Sequence, residues 1–115
     1  MQPTIEQLAV CSRFSAEADA PLEYERVGIA LETLSLLPLN ALRHKREGVV
    51  CGWYIWGGEV LSENPSFFQS LCVDHLSEHT PSLVPYLALG PGWRVLLAPE
   101  YEDVWFDGAL IHADG

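Results

Sequence analysis

The strongest hydrophobic pattern in the chain is an unbroken apolar run over residues 49–56, rich in β-branched and aromatic side chains. In an extended strand, successive side chains point to opposite faces, so both faces of this segment would be apolar. The two sets that would share a face are Val49, Cys51, Trp53 and Ile55, and Val50, Tyr54 and Trp56. Strands that are apolar on both faces are typically buried in the middle of a sheet. The pattern therefore predicts a central strand that ends at Gly57-Gly58.

Two other segments have helical periodicity. Thr4 and Gln7 have capping-box spacing ahead of apolar positions at helical steps, which predicts a first helix over residues 4–14. Asn64-Pro65 offers a cap oxygen followed by a proline at the first helical position. Beyond it, side chains recur at steps of three and four at Phe68, Leu71, Cys72, His75, Leu76 and His79. The pattern predicts a second helix that begins there and ends before Pro81.

The remaining signals are shorter. Val27, Ile29 and Leu31 alternate with small or polar residues, which predicts a short strand, while residues 31–37 also fit a helix. Breaks or turns are predicted at residues 38–40, 43–48 and 90–92, a helix start at Thr80-Pro81, and a hairpin with strands at 93–98 and 104–106 around a loop at 99–103. Together these elements predict a small α+β domain, with an antiparallel or mixed β-sheet and helices packed on one side. The 115 residues suffice for a single domain, in which residues 1–20 form an N-terminal helix and loop.

Charge is distributed unevenly along the chain. The formal net charge is −10, and nine acids lie after residue 49 against Arg94 as the one cation there, which gives that part −8. Nucleic acids and anionic lipids bind cation-rich surfaces, so this balance argues against both as ligands. It favours a basic protein partner, although acidity that only keeps the protein dispersed is the alternative.

The start of the chain lacks the basic region and apolar run of a secretory signal, which predicts a cytoplasmic protein. The longest uncharged run, residues 79–93, is too short for a membrane-spanning helix and contains three prolines. Cys11, Cys51 and Cys72 lie in apolar contexts, so we expect reduced thiols in the core rather than a disulfide framework.

The sharpest chemical motif is His75-Leu76-Ser77-Glu78-His79, which has the HxxEH spacing of inverted zinc proteases. On a helix, His75 and His79 would share a face, Cys72 could supply a third ligand one turn earlier, and Glu78 could act as a base. The same face carries apolar residues, so a hydrogen-bonded histidine at the edge of the core is the competing interpretation. The sequence has no GxSxG, phosphate-binding loop or GxGxxG motif. We expect no metal, no cofactor and no catalytic residue.

Three of the four tryptophans lie in two aromatic segments that also carry carboxylates, GWYIWGGE at residues 52–59 and YEDVWFD at residues 101–107. Some of these rings fill the core of a small domain, but they cannot all lie inside. We expect Trp56 and Trp105 to be exposed, since each lies near carboxylates at a strand end or on an outer face. With Glu59, Glu102, Asp103 and Asp107 they would form an anchor surface for an Arg- or Lys-rich protein.

These two segments resemble, together with three further blocks, the Imm33-like bacterial domain family. The further blocks, which follow in the same order, are NALRH at residues 40–44, the stretch from His75-Leu76 to Pro85-Tyr86-Leu87, and PGWR at residues 91–94. The resemblance covers residues 27–107. Cys72 stands where many members have a histidine before His75, which argues against a shared histidine site. Membership implies an immunity protein of a polymorphic toxin system, a stoichiometric inhibitor held in the cytoplasm of the producing cell.

The leading hypothesis is therefore an immunity protein that binds and neutralises a cognate bacterial toxin, often a basic one, without catalysis. A non-catalytic regulatory interaction module that meets no toxin is the first alternative. A metal-dependent hydrolase that uses His75, Glu78 and His79 is the second. The first two readings imply a protein partner, and none of the three involves nucleic acid or a membrane.

Overall fold

Six strands and several short helices follow one another along residues 3–112, which are the residues that the computed structural model describes. The strands are β1 (Arg26–Ile29), β2 (Leu39–Arg43), β3 (Val50–Gly57), β4 (Gln69–Cys72), β5 (Trp93–Ala98) and β6 (Tyr101–Phe106). The α-helices are α1 (Ile5–Arg13), α2 (Leu76–His79) and α3 (Ala109–His112), and 3-10 helices span Leu31–Thr33, Val73–His75 and Pro81–Tyr86. The strands form one sheet in the order β4-β1-β3-β2-β5-β6. Only β1 and β3 pair in parallel, and the other pairs of this sheet are antiparallel, which confirms the predicted α+β fold with a mixed sheet.

The predicted central strand is confirmed, because β3 lies between β1 and β2. Cys51, Trp53 and Ile55 are fully buried in the main hydrophobic cluster. Trp56 is buried in a second cluster, against which Tyr54 packs. Alternate side chains of one strand therefore serve two clusters, as the two-sided apolar pattern indicates.

The two clusters define two faces of the sheet. On the covered face, the main cluster joins the sheet to α1, α2 and the 3-10 helix Pro81–Tyr86. The other face, the open face, carries the smaller cluster of Ala30, Leu42 and Trp56. This cluster is covered only in part, by Phe67 and Phe68 of the β3–β4 loop (residues 58–68) and by Leu110 of α3. The helices thus lie on one side of the sheet, apart from the one-turn α3.

The first helix begins where the capping box predicts. The Thr4 hydroxyl accepts a hydrogen bond from the Gln7 backbone N–H at 3.1 Å, and the Gln7 side chain accepts one from the Thr4 N–H at 3.0 Å. Two of the N–H groups that a helix start leaves unpaired are satisfied in this way. The Gln7 amide also donates to the Val84 carbonyl at 3.0 Å, which ties α1 to the 3-10 helix Pro81–Tyr86.

The predicted helix from Asn64-Pro65 to Pro81 is wrong over residues 64–72, and only its last part, the 3-10 helix Val73–His75 and α2, is helical and ends before Pro81. The Asn64 side chain accepts from the Ser66 N–H at 2.9 Å and closes a turn instead of capping a helix. The chain then forms β4, which pairs antiparallel with β1, and α2 provides only one turn. Phe68 packs on the open-face cluster and Leu71 on the main cluster. In an extended chain, residues three positions apart point to opposite faces of the sheet. Phe68 and Leu71 are each packed for this reason, although their spacing also fits one face of a helix.

The predicted break at residues 38–40 and the charged turn at 43–48 are also partly wrong. Residues 39–43 form β2, and Arg43, at its end, is fully buried. Its guanidinium donates to the carbonyls of Asp19 and Leu89, both at 2.7 Å, and of Cys51 at 3.1 Å. Burial lowers the pKa of this guanidinium. A buried arginine bound to carbonyls of distant segments holds loops against the sheet, and a local pattern cannot distinguish it from a surface charge.

The predicted hairpin is confirmed with a shorter loop. The turn consists of Pro99 and Glu100, and Glu100 has a φ of +60°. Because β6 begins at Tyr101 rather than at residue 104, Glu102 and Asp103 are strand residues whose side chains point to opposite faces.

The cysteines are free thiols, as expected. Cys11 and Cys51 are buried and Cys72 is half-buried, and burial raises the pKa of the first two. Across residues 3–112, no helix reaches the length and hydrophobicity that crossing a membrane requires.

Candidate functional site

The strand register assembles a row of side chains across the open face. Tyr54 lies opposite Leu42, Leu42 opposite Arg94, and Arg94 opposite Trp105. A second row, one step along the strands, consists of Trp56, Asn40, Leu96 and Asp103. Directly paired residues share a face, so three predicted site residues, Trp56, Asp103 and Trp105, lie on this one surface.

Trp105 is half-buried, and its indole is held by a neighbouring cation. The Arg94 guanidinium carbon lies 5.5 Å from the centroid of the Trp105 ring. Arg94 in turn pairs with the Asp107 carboxylate at 3.1 Å, and the same carboxylate accepts from the Ala109 N–H at 3.1 Å. Asp107 therefore positions Arg94, and Arg94 supports one side of Trp105. A partly exposed aromatic ring with few free rotamers is the type of side chain that anchors protein interfaces.

Trp56 is not exposed, which corrects the sequence expectation. It retains only 5% of its accessible surface. The ring of Phe68, from the β3–β4 loop, packs edge-on against it with centroids 6.3 Å apart. Next to Gly57 and Glu59, Trp56 looked like a strand-end residue, but the loop folds back over it. Its ring is part of the wall of a surface cavity of about 210 Å³.

Glu102 lies on the covered face, away from the other predicted carboxylates of β6. It accepts hydrogen bonds from both Arg13 of α1 and the Tyr86 hydroxyl. The Arg13 bond, followed by the Tyr86 bond, holds the pKa of the Glu102 carboxyl below its usual range. Burial, together with the carboxylate, raises the pKa of Tyr86 to about 12. The three side chains join α1, the 3-10 helix Pro81–Tyr86 and the edge strand.

Glu59 is exposed on the β3–β4 loop, together with Val60 and Leu61. The base of this loop is fixed by Asn40, whose amide donates to the Gly58 carbonyl at 2.8 Å and to the Pro38 carbonyl at 3.1 Å. Sequence reasoning assigned no role to Asn40. An asparagine two residues after a proline is typical of a turn, and only the structure shows that its side chain tethers two loops.

The HxxEH segment does not assemble a metal site. His75 ends a 3-10 helix and its Nδ1 lies 3.0 Å from the Glu78 carboxylate. This contact raises the pKa of His75 and lowers the pKa of Glu78. His75, Glu78 and His79 are all exposed. Within residues 3–112, no three or more His, Cys, Asp or Glu side chains are grouped so that they could hold a metal ion.

Sequence reasoning missed the residues that shape the open face around Trp105. Arg94 carried a signal, because it is the one cation after residue 49 and stands in the PGWR block. Leu42 stands in the NALRH block, but its strand was not predicted, and Phe68 lay in a wrongly predicted part of a helix, so neither was assigned to the row or to the cavity.

Comparison with known families bears on the whole of this surface. The family model described as Imm33-like domain matches residues 6–107. The match includes both aromatic segments, all six strands and α1 except its first residue, and it reaches further toward the N-terminus than residue 27. No curated protein and no solved structure matches the chain. A family model that covers this much of the sequence settles the assignment: the chain belongs to the Imm33-like domain family.

Proposed function

We propose that this protein is an immunity protein that binds a cognate bacterial toxin and blocks it by covering its functional surface. The family name supports the role, since the chain belongs to the Imm33-like domain family. On this proposal the protein acts in the cytoplasm of the cell that makes the toxin. It forms a stoichiometric complex and makes or breaks no covalent bond.

The observation that carries the proposal is the open face of the sheet. Most helical segments pack on the other side, so this face presents the half-buried Trp105 with Asp103 beside it in the neighbouring row. A rigid aromatic side chain from which the surrounding contacts exclude water once the partner has bound is the usual composition of an interface hot spot. Trp105 is the anchor that we propose, and its support by Arg94 lowers the entropy lost on binding.

The charges of the chain after residue 49 favour a basic partner. Nine acids lie after residue 49 against one arginine, and that arginine is already paired with Asp107. Among the predicted carboxylates, Glu59 and Asp103 are exposed, while Glu102 is engaged on the covered face. Complementary charge speeds the encounter of two proteins, and buried anchors set the dissociation rate. A basic toxin domain would therefore be captured quickly, and at a rate that falls as salt rises.

The test is protection of cells that carry the toxin-domain gene lying beside this gene. We expect Trp105→Ala combined with Asp103→Lys to abolish protection, while circular dichroism shows an unchanged fold. The matched control is Tyr24→Ala combined with Glu23→Lys, which changes an exposed aromatic residue and an exposed acid just before β1, a strand that three others separate from β6 in the sheet. The control should protect fully. Full protection by the Trp105 and Asp103 variant would refute this site, and the lack of any toxin-domain gene beside this one would favour a regulatory module.

A further inference from the structure

The open face holds a cavity that no part of the preceding proposal uses. Its volume is about 210 Å³, and its walls are Leu42, His44, Tyr54, Trp56, Leu61 and Phe68. Four of these residues are aromatic or imidazole rings in edge-to-face contact. The centroids of Tyr54 and Phe68 lie 5.2 Å apart, and those of His44 and Tyr54 5.5 Å apart. Rings that interlock in this way give the cavity a defined shape.

The chemistry of the walls selects an apolar occupant. The polar side-chain atoms of its lining residues are the Tyr54 hydroxyl, the His44 ring nitrogens and the Trp56 indole N–H, and no wall residue carries a carboxylate or an ammonium group. His44 Nδ1 already lies 3.3 Å from the Leu110 carbonyl. An apolar cavity of about 150 Å³ stays dry and binds a benzene-sized molecule, so this one has room for a large aliphatic or aromatic side chain.

The carboxylates on the loop beside the cavity determine which residues can stand next to the inserted side chain in the partner. Leu61 forms one edge of the cavity, and Glu59 and Glu63, on the same loop, are exposed. Lysine or arginine beside the inserted side chain would complement these carboxylates, and acidic neighbours would be repelled. The same charges disfavour a second copy of this chain, because its formal net charge is −10 and two of its exposed apolar residues, Tyr101 and Phe106, lie on β6 with Glu102 and Asp103.

The cavity and Trp105 belong to one continuous surface. Tyr54 and Leu42, in the cavity wall, begin the row that continues through Arg94 to Trp105. Two strand spacings separate Leu42 from Trp105, which amounts to about 10 Å. A single short segment that crosses these strands can fill the cavity and cover the Trp105 indole together.

We propose that this cavity receives one large apolar side chain of the partner, from a segment in which lysine or arginine flanks that side chain. The inference rests on the proposed function, since it names the chemistry by which the same face recognises its partner. Leu61 and Phe68 act as specificity-determining residues, because they form the walls that the β3–β4 loop contributes.

The test uses three synthetic peptides with blocked ends: Lys-Lys-Phe-Lys-Lys, Lys-Lys-Ala-Lys-Lys and Glu-Glu-Phe-Glu-Glu. Binding to ¹⁵N-labelled protein is followed through the indole N–H of Trp56, with the Trp53 indole, on the covered face, as internal reference. We expect the basic phenylalanine peptide to shift the Trp56 signal and leave Trp53 unchanged. Replacement of phenylalanine by alanine should weaken binding at least tenfold. The acidic peptide should not bind.

Two variants of matched exposure complete the experiment. Leu61 and Leu8 are each 48% exposed, but Leu8 lies on α1 and outside the cavity. Leu61→Arg should abolish the shift, and Leu8→Arg should retain it. Equal binding of the alanine peptide, or a shift that survives Leu61→Arg, would overturn the proposal. So would a dimer of the wild-type chain that Leu61→Arg dissociates, since the occupant would then be a second copy.

Failure here is distinguishable from failure of the proposed function. If Leu61→Arg still protects cells fully while the Trp105 and Asp103 variant does not, the proposal that the cavity receives a partner side chain is overturned and the immunity role stands. If neither variant affects protection, the open face itself is excluded.

Discussion

Arg43 and Trp53 donate hydrogen bonds to the same backbone carbonyl, that of Leu87. The Trp53 indole N–H does so at 3.0 Å and the Arg43 guanidinium at 3.4 Å, and the guanidinium carbon lies 5.7 Å from the indole centroid. Both side chains are fully buried. A cation and an aromatic donor on neighbouring strands thus bind the segment that leads from the 3-10 helix Pro81–Tyr86 into β5.

Loss of the Arg43 contacts should destabilise the fold strongly. Arg43→Met keeps much of the volume but leaves the carbonyls of Asp19 and Leu89 without their donor. Each buried acceptor left unpaired costs about 1–3 kcal/mol, so for two of them we expect the free energy of unfolding to fall by about 2–6 kcal/mol in urea denaturation. Arg94→Met, which breaks one half-exposed ion pair, should cost less than about 1 kcal/mol. A smaller loss for Arg43→Met than for Arg94→Met would contradict this role.

The shared acceptor predicts that Arg43 and Trp53 are coupled. Trp53→Phe removes one donor to the Leu87 carbonyl, while the Arg43 bond to it remains. Once either donor is gone, the other keeps the carbonyl satisfied, so the double variant should lose more stability than the two single variants added together. A double-mutant cycle on the free energies of unfolding measures this interaction energy, which is usually about 0.5–3 kcal/mol between contacting residues. Strict additivity would show that the two bonds are independent.

Gly57 should not tolerate a side chain. A Cβ there would lie 2.1 Å from the Thr33 carbonyl oxygen and 2.7 Å from that of Leu36, both backbone atoms. We expect Gly57→Ala to lower the free energy of unfolding by about 1–3 kcal/mol, the usual cost of overpacking. Gly90→Ala is the control and should cost little, because the nearest atom that a Cβ there would meet is the Asp19 Cβ at 3.8 Å, an ordinary van der Waals contact. Equal thermal stability of Gly57→Ala and the wild type would refute the close approach.

The contacts of Glu102 predict a pH-dependent contribution to stability. Its pKa is held down in the folded protein, mainly by the bond from Arg13, so the contribution is present above the unfolded value of about 4.3 and is lost as pH falls through the folded pKa. The difference in unfolding free energy between wild type and Glu102→Gln, measured from pH 7 to pH 3, should therefore shrink on acidification. In an Arg13→Gln background the same difference should depend less on pH. A difference that grows as pH falls would give the wrong sign.

The sequence predicted those parts of the fold in which local pattern and burial agree. The β3 segment is apolar on both faces because it is central, and the hairpin of β5 and β6 follows its turn residues. The capping box located α1 because both of its hydrogen bonds join residues three positions apart. Each of these features depends on neighbours in sequence.

The missed parts depend on segments far apart in the chain. Arg43 reads as a surface charge until the carbonyls of Asp19, Leu87 and Leu89 surround it. Trp56 reads as exposed until Phe68 folds back over it. Trp105 was predicted as a site residue, but its neighbour Arg94 and the cavity near it required the strand order, which no local pattern encodes.

The row from Tyr54 through Leu42 and Arg94 to Trp105 is built from four strands that are neighbours in the sheet but do not follow one another in that order along the chain. No fragment that stops short of β6 can display it, and a chain cut between β3 and β5 keeps only part of it. A nascent or proteolysed copy would thus be inert toward its target. The binding surface would form only when β6 joins the sheet. The number of binding-competent molecules in the cell would therefore equal the number of fully folded chains.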